Sequence, residues 1–383
     1  MPQISQRGTL MPASPIRKLV PLADDAKARG IHVYHLNIGQ PDLPTPQAAI
    51  DAIRSIDRKV LEYSPSQGYL SYRTKLVDYY KKYDINLTAD DIIVTTGGSE
   101  AGLFSFMACL NPGDEIIMPD PFYANYQAFA ISAGAVIRTI PTTIEEGFCL
   151  PKVERFEELI NERTKAIMIC NPNNPTGQLT NRELLLEILN KCVEVNAKLL
   201  IDECFMDFVD EAKAFSMRAL LEQYPNLIIL KAFTKTFAIP GVRLGYCLNS
   251  NQELHKSLHQ CGQDWSVSIL AQEAGKVALL EKEYLEKSFE LIQRERKYLI
   301  RHLKCLGAKI YGSEANYIFF KMKQPKNLVE VLKEQGYLIR SCANYHNLGE
   351  DYYRIAVKVR CFNYGLIKAI MEEKKDAFFT NDY

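Results

Sequence analysis

An excess of charge of either sign is the first thing missing from this sequence. Its 46 Lys and Arg balance 46 Asp and Glu, so no net basic field exists to hold nucleic acid or an anionic membrane surface. Long apolar runs are missing too: none approaches the roughly 18 residues of a membrane-spanning helix. The opening segment, MPQISQRGTLMPASPIRKLV, contains no uninterrupted apolar stretch, so no secretory signal is expected. The ten cysteines, spread from Cys109 to Cys361, include no Cys-x-x-Cys spacing. Several lie inside apolar runs, Cys170 in AIMIC and Cys204 in LLIDECF, and read as buried reduced thiols of a cytoplasmic protein rather than a disulfide framework. Repeats and low-complexity segments are also absent, which excludes collagen-like and mainly disordered chains. What remains is 47% hydrophobic and 24% charged, enough to bury a large core. At roughly 150 residues per domain, 383 residues correspond to about 2.6 domains, a prior of two or three.

Short apolar runs alternate with amphipathic stretches through the middle of the chain, the pattern of an α/β fold. Parallel strands are expected at Asp91–Thr96, Glu115–Met118, Lys165–Cys170, Lys198–Asp202 and Asn226–Leu230. Most are apolar on both faces, as strands between two helix layers should be. A helix is expected over Asn181–Val195, opened by Thr180 with Glu183 three residues on, a capping-box pattern. After Asn251 the architecture changes. Ser268 to about Leu306 keeps helical periodicity without proline, and strand-like pieces follow at Asn316–Lys321, Tyr337–Ser341 and Tyr353–Val357. The expected organisation is a large domain over residues 46–285 and a smaller α/β domain from 1–45 and 286–383, bridged by a continuous helix.

Four motifs carry chemistry. Thr95-Thr96-Gly97-Gly98-Ser99-Glu100 follows a strand and opens a helix, where two glycines and free N–H groups suit a phosphate. A plain strand-to-helix turn capped by Ser99 explains it equally well. It is not G-x-G-x-x-G, which leaves a dinucleotide site without its fingerprint. Asn171-Pro172-Asn173-Asn174-Pro175-Thr176-Gly177 lies beyond the carboxyl end of a buried strand, the edge where α/β sheets bind ligands. There Asn174 can offer its amide to a ligand oxygen, although an Asx-rich turn would use the same residue types. Asp202-Glu203 ends the next apolar strand, and a carboxylate placed there needs a cation, either a protonated ring nitrogen or a structural salt bridge. Last, Lys235 stands just past the strand NLIIL, with Arg243-Leu244-Gly245-Tyr246 beginning eight residues on. A lysine in such a pocket can lose its proton by desolvation and form a Schiff base, while an arginine fork can grip a phosphate.

The segments LNIGQPDLPTP, EYSPSQGY, TTGGSEA, PDPFYANY, NPNNPTG, FTK…GVRLGY and YYRIAV cover nearly the whole chain. In their order and spacing they resemble the fold-type I pyridoxal-phosphate enzymes, specifically the class I and II aminotransferases. The resemblance implies a mainly parallel sheet with helices on both faces, a smaller α/β domain, and pyridoxal 5′-phosphate as cofactor. Matched position by position, Lys235 would form the Schiff base, an internal aldimine, and later serve as the general base. Asp202 would keep the pyridine nitrogen protonated, Asn174 would contact the ring oxygen and Tyr123 would stack on the ring. Gly98, Ser99, Thr234 and Arg243 would hold the phosphate, joined by Tyr63 from a neighbouring subunit of a homodimer. Arg354 would pair with the substrate α-carboxylate beneath the loop carrying Gly39. The substrates implied are an amino acid and a 2-oxo acid, with no nucleic acid or membrane partner.

Two departures stand out. The family often places tyrosine three residues after the aspartate and a hydroxyl three residues before the lysine; here these are Phe205 and Ala232. Moreover, the N-terminal half looks like the aspartate-type enzymes, whereas DECFMDF, DWSVSILA and LIRSCANY look more like threonine-phosphate decarboxylase and histidinol-phosphate aminotransferase. In those relatives an arginine matching Arg340 helps recognise a distal phosphate. The decarboxylase's N-terminal glycine- and histidine-containing grip is not visible, which favours transamination over decarboxylation. A cofactor-binding regulator, the reading from another class, would be expected to carry a basic helix-turn-helix before the matching region. His255 and His259 read as solvated helix positions rather than a metal pair, and Trp265 as core or site wall.

Overall fold

Strand runs that are apolar on every residue can satisfy both faces only inside a sheet covered on both sides, and this is where the chain puts them. The computed structural model describes residues 3–14, 16–323 and 327–379. Its strands, in chain order, are β1 Tyr34–His35, β2 Ile92–Thr95, β3 Glu115–Asp120, β4 Val136–Pro141, β5 Thr164–Cys170, β6 Lys198–Asp202, β7 Leu227–Ala232 and β8 Gly245–Leu248. They are followed by β9 Lys309–Tyr311, β10 Tyr317–Lys321, β11 Tyr337–Leu338, β12 Arg340–Ser341 and β13 Tyr352–Ala356. The main sheet has the order β2-β8-β7-β6-β5-β3-β4. Pairing from β7 across to β4 is parallel, and β8 runs antiparallel to both its neighbours.

Alternation along the central strands sorts side chains into two cores. Ile167, Ile169, Leu199, Ile201 and Ile229 pack with Leu185, Ile188 and Leu189 of the helix Arg182–Glu194 on one face. Met168, Leu200, Ile228 and Leu230 pack with Phe106 and Phe129 on the other. The fold is therefore an α/β fold with helices on both faces of a mainly parallel sheet. Two strands of the main sheet escaped the sequence reading for physical reasons. Strand β4 is an edge, exposed at most positions, so its apolar content is low; β8 begins inside the Arg-Leu-Gly-Tyr motif and is only four residues long.

The helix expected from Thr180 is capped instead by Asn181, whose side chain accepts from the Leu184 N–H. Thr180 is already committed, because its N–H donates to Asn171 Oδ1 at 2.9 Å and its carbonyl accepts from Asn171 Nδ2 at 3.1 Å. The long periodic stretch after Ser268 is two helices, Ile269–Ala278 and Lys282–Cys305, and the second crosses the expected boundary at residue 285. The piece Tyr337–Ser341 splits at Ile339. Tyr337 and Leu338 pair with β1, whereas Arg340 and Ser341 pair with β13 in the antiparallel sheet β12-β13-β10-β9. His255 is buried rather than solvated, and burial pushes its pKa down to about 4. All ten cysteines are free, with Cys170, Cys192, Cys204, Cys247 and Cys342 buried and Cys149, Cys305 and Cys361 exposed.

Candidate active site

Strands β6 and β7 end side by side, and the segments leaving them build one wall of a cavity of about 260 Å3. Gly39, Gly98, Ser99, Tyr123, Asn174, Asp202, Thr234, Lys235, Arg243 and Arg354 all line it. Ten of the twelve residues singled out in the sequence thus meet in one place. A larger cavity of about 840 Å3 lies behind the lysine turn, lined by Tyr79, Tyr83, Phe208 and Leu285 among others. It gathers no reactive amine with an anion cradle, so the chemistry belongs to the smaller one.

Lys235 leaves β7 through a single helical turn, Phe233–Thr236. Burial, reinforced by the positive charges of Arg354, Lys358 and Arg243, pushes its pKa down to about 8. Asp202 ends β6 with both carboxylate oxygens occupied. Tyr126 donates its hydroxyl to Oδ2 at 2.8 Å, and the Cys204 N–H donates to Oδ1 at 2.9 Å. Among the described residues Asp202 has no ion-pair partner, so the structural salt bridge that would explain a carboxylate there is missing.

The two readings of the proline-rich loop divide between its asparagines. Asn171 and Asn173 do the turn work: Asn173 Oδ1 accepts from the Thr176 N–H and hydroxyl, and its Nδ2 donates to the Pro121 carbonyl. Asn174 faces the cavity, where its Oδ1 accepts from Arg354 Nη1 at 2.6 Å. Arg354, on β13, also donates through Nη2 to the Asn37 carbonyl at 3.2 Å, and its guanidinium lies 5.0 Å over the Tyr317 ring. Its Nε has no partner, and no carboxylate neutralises it among the described residues. Burial, with Arg340 beside it, holds its pKa below the usual arginine value.

The glycine pair forms a close-approach cradle. Gly97, not Ser99, is the N-cap of the helix Gly98–Cys109, at φ 102°, a conformation that glycine adopts without strain. A Cβ on Gly97 would come within 2.7 Å of Arg243 Nη2, and one on Gly98 within 2.9 Å of Cys204 Sγ. Arg243 is tied loosely, through Nη2 to the Thr96 carbonyl at 3.2 Å and Nη1 to the Pro240 carbonyl at 3.3 Å. Tyr123 accepts a hydrogen bond from Asn125 Nδ2 and meets Tyr126 edge-on. Gly39 is held through its carbonyl by Asn316 Nδ2 at 3.1 Å.

Two residues stand outside the cavity. Arg340 is directly opposite Arg354 on β12 but packs behind it, donating from Nη2 to the Tyr345 hydroxyl at 2.8 Å. Tyr63 is 77% exposed and stacks on Trp265, ring centroids 4.9 Å apart. Trp265 is itself 53% exposed, so it is not core, and it is not among the residues lining the cavity. Sequence reasoning missed Tyr126; its place three residues after Tyr123 was the available signal. It also missed Lys358, whose Nζ donates to Asp42 Oδ1 at 2.6 Å and to the Gln40 carbonyl at 2.9 Å, pinning the Gly39 loop. No local pattern announces that pairing. Phe205 sits edge-on to Tyr317, and Ala232 lines the wall, so neither absent hydroxyl is replaced from the same position.

The profile of the family Aminotransferase class I and II matches residues 31–360. The chain belongs to this family. It is 30% identical over 318 residues to an aspartate aminotransferase of Thermotoga maritima, covering 81% of this chain and 83% of that one. It is also 30% identical over 341 residues to a threonine-phosphate decarboxylase of Salmonella typhimurium, covering 88% and 89%. The aspartate aminotransferase of Thermus thermophilus with maleate superposes with a TM-score of 0.85 at 28% identity, over 97% of this chain and 98% of that one. The protein is thus a fold-type I, pyridoxal-phosphate-dependent aminotransferase. Its cavity fits that cofactor: a half-buried lysine of lowered proton affinity, a carboxylate without a cation and a glycine cradle beside an arginine supply the three contacts the group requires. Among the described residues no helix is long and apolar enough to cross a membrane, and no group of three or more His, Cys, Asp or Glu could hold a metal ion.

Proposed function

We propose that the protein moves an amino group from an L-amino acid to a 2-oxo acid, with Lys235 as the covalent anchor and proton carrier. The observation that carries this reading is the meeting of Lys235, Asp202 and Arg354 in one cavity, the amine pushed down to about 8 and neither of the other two groups ion-paired among the described residues. Pyridoxal 5′-phosphate supplies an electron sink for the electrons of a broken Cα bond. Asp202, held by Tyr126 and the Cys204 N–H, keeps a lone pair for the ring nitrogen's proton. Asn174 spends Oδ1 on Arg354 and retains Nδ2 to donate to the ring oxygen. Tyr123, in the cavity wall, would pack against the ring. Gly98, Ser99, Thr234 and Arg243 hold the phosphate at a helix N-terminus, where dipole and guanidinium both favour an anion. Lys235 Nζ, deprotonated in an appreciable fraction near neutral pH, accepts the substrate's Cα proton and returns it. Arg354 clamps the α-carboxylate by its planar fork, under the Gly39 loop that Lys358 and Asn316 pin.

Tyr63, exposed on one chain, completes the phosphate site of a partner in a homodimer with shared active sites, working in the cytoplasm. Arg340 backs the α-carboxylate clamp and reaches a distal anionic group of the substrate when Tyr345 turns aside. Residues 46–285 act as the cofactor-binding domain and 1–45 with 286–383 as the small domain. A panel of amino donors with 2-oxoglutarate, scored for both keto acid and carbon dioxide, tests the reading. Keto acid without carbon dioxide is expected; carbon dioxide from O-phosphothreonine without keto acid would show that the decarboxylase-like C-terminal half sets the reaction instead.

A further inference from the structure

The lysine turn has two sides. Thr234 and Lys235 line the cofactor cavity, whereas Thr236 faces the opposite way and lines the larger cavity behind it. There its hydroxyl donates to Asp207 Oδ2 at 2.7 Å. Asp207 belongs to a cluster of four charges. Lys231 Nζ donates to both Asp207 oxygens at 2.9 Å and to the Glu203 carbonyl at 3.0 Å. Arg218 lies 3.7 Å from Asp207 and 3.0 Å from Glu203. Glu203, fully buried, also accepts from the Ser216 hydroxyl and the Met217 N–H. Two cations face two anions, so the cluster places no net charge beneath the site.

Its position in the chain is as telling as its geometry. Glu203 follows Asp202, Lys231 lies in the strand that delivers Lys235, and Thr236 follows Lys235. A buried ion cluster adds little stability over apolar residues of the same volume; what it fixes is the direction of the groups attached to it. The lysine turn needs such fixing. It is a four-residue helix, too short to hold its own shape. Outside its own ladder its backbone is tied to the neighbouring strand region by the Phe233 N–H donating to the Leu244 carbonyl at 3.0 Å. The side-chain anchor at the other end is Thr236.

We propose that Thr236 and Asp207 are positioning residues: their hydrogen bond, braced by Lys231 and Arg218, fixes the turn that aims the Lys235 amine into the cofactor cavity. The proposal rests on Lys235 being the reactive lysine. With the anchor intact, the amine is held in the cavity wall, partly shielded from water and facing the charges of Arg354, Lys358 and Arg243. With it cut, the turn relaxes, water reaches the amine, and its proton affinity rises towards that of an ordinary lysine.

Thr236→Val removes the hydroxyl at constant shape, Thr236→Ala removes it without adding a methyl, and Thr236→Ser keeps it. In cofactor-free protein, the pH dependence of Lys235 acylation, followed by peptide mass spectrometry, reports the amine directly. The Val and Ala variants should titrate about one pH unit above wild type. In the loaded enzyme their kcat should fall on the order of tenfold with KM little changed. Ser should restore both. Wild-type midpoint and kcat in the Val and Ala variants would overturn the proposal, as would a Ser variant behaving like Val. Borohydride trapping in wild type separates the two levels of the argument: cofactor on another lysine defeats the reading of Lys235 and the proposal with it, whereas cofactor on Lys235 with unchanged Val and Ala variants defeats the proposal alone.

Discussion

Arg354→Lys probes the clamp on the substrate carboxylate most sharply. Arg354 is buried, with Nη1 given to Asn174, Nη2 to the Asn37 carbonyl, Nε unpartnered and no carboxylate neutralising it among the described residues. A guanidinium in that state carries a desolvation cost that a bound carboxylate offsets. Lysine keeps the charge but replaces the planar fork with a point donor, so one charge-assisted hydrogen bond is lost. At about 1.5–3 kcal/mol for such a bond, kcat/KM should fall roughly 10- to 150-fold. The assay is steady-state transamination across the donor panel, with an amine lacking the α-carboxylate as control. The control should be indifferent to the substitution. Arg354→Met supplies an independent readout, because removing an uncompensated buried charge should raise the melting temperature of the ligand-free protein while abolishing amino-acid use. A lysine variant within threefold of wild type, or equal losses on donor and control, would refute the assignment.

Other expectations follow from the same geometry. Lys235→Met should stabilise cofactor-free protein. The amine's pKa falls from 10.5 to about 8 on folding, which corresponds to roughly 3 kcal/mol. That penalty is complete below pH 8, where both folded and unfolded chains carry the proton, and disappears as pH rises to 10.5. Urea unfolding should therefore show a gain at pH 7 that vanishes above pH 10.5; an equal gain at both would contradict the buried-amine account. Asp202→Asn should retain cofactor by absorbance yet lose on the order of 3 kcal/mol of transition-state stabilisation, a hundredfold or more in kcat, and near-wild-type turnover would sink its role. Tyr63→Ala should leave a folded dimer by sedimentation with weakened cofactor retention; a fully active monomer at assay concentration would remove the shared-site reading.

Much of the site was legible because its residues sit where local signals are strong. Buried strands ending in Asp202 and just before Lys235, glycines at a helix start, and a proline-fixed loop are all encoded within a few neighbouring residues. The contributions that were not legible come from contacts between distant segments. Tyr126 reaches Asp202 across 76 positions and Lys358 reaches Asp42 across 316, and no periodicity marks either. The same distinction explains the fold. Apolar strands β5 to β7 were readable, whereas the exposed edge β4 and the split at Ile339 depend on which sheet each residue joins. Trp265 and His255 inverted their expected surroundings because burial of a single residue is set by packing rather than by type. Arg340, expected to meet a distal phosphate, pairs with Arg354 across the small sheet and gives Nη2 to the Tyr345 hydroxyl, a partner no local pattern announces.

The central claim is that Lys235 is the lysine that bonds the cofactor. Borohydride reduction of the loaded enzyme, followed by proteolysis and peptide mass mapping, measures this without any assumption about substrate. The account predicts the reduced cofactor's mass on the peptide containing Phe233-Thr234-Lys235 and on no other. Label on a different lysine, or full labelling persisting in Lys235→Ala, would contradict it.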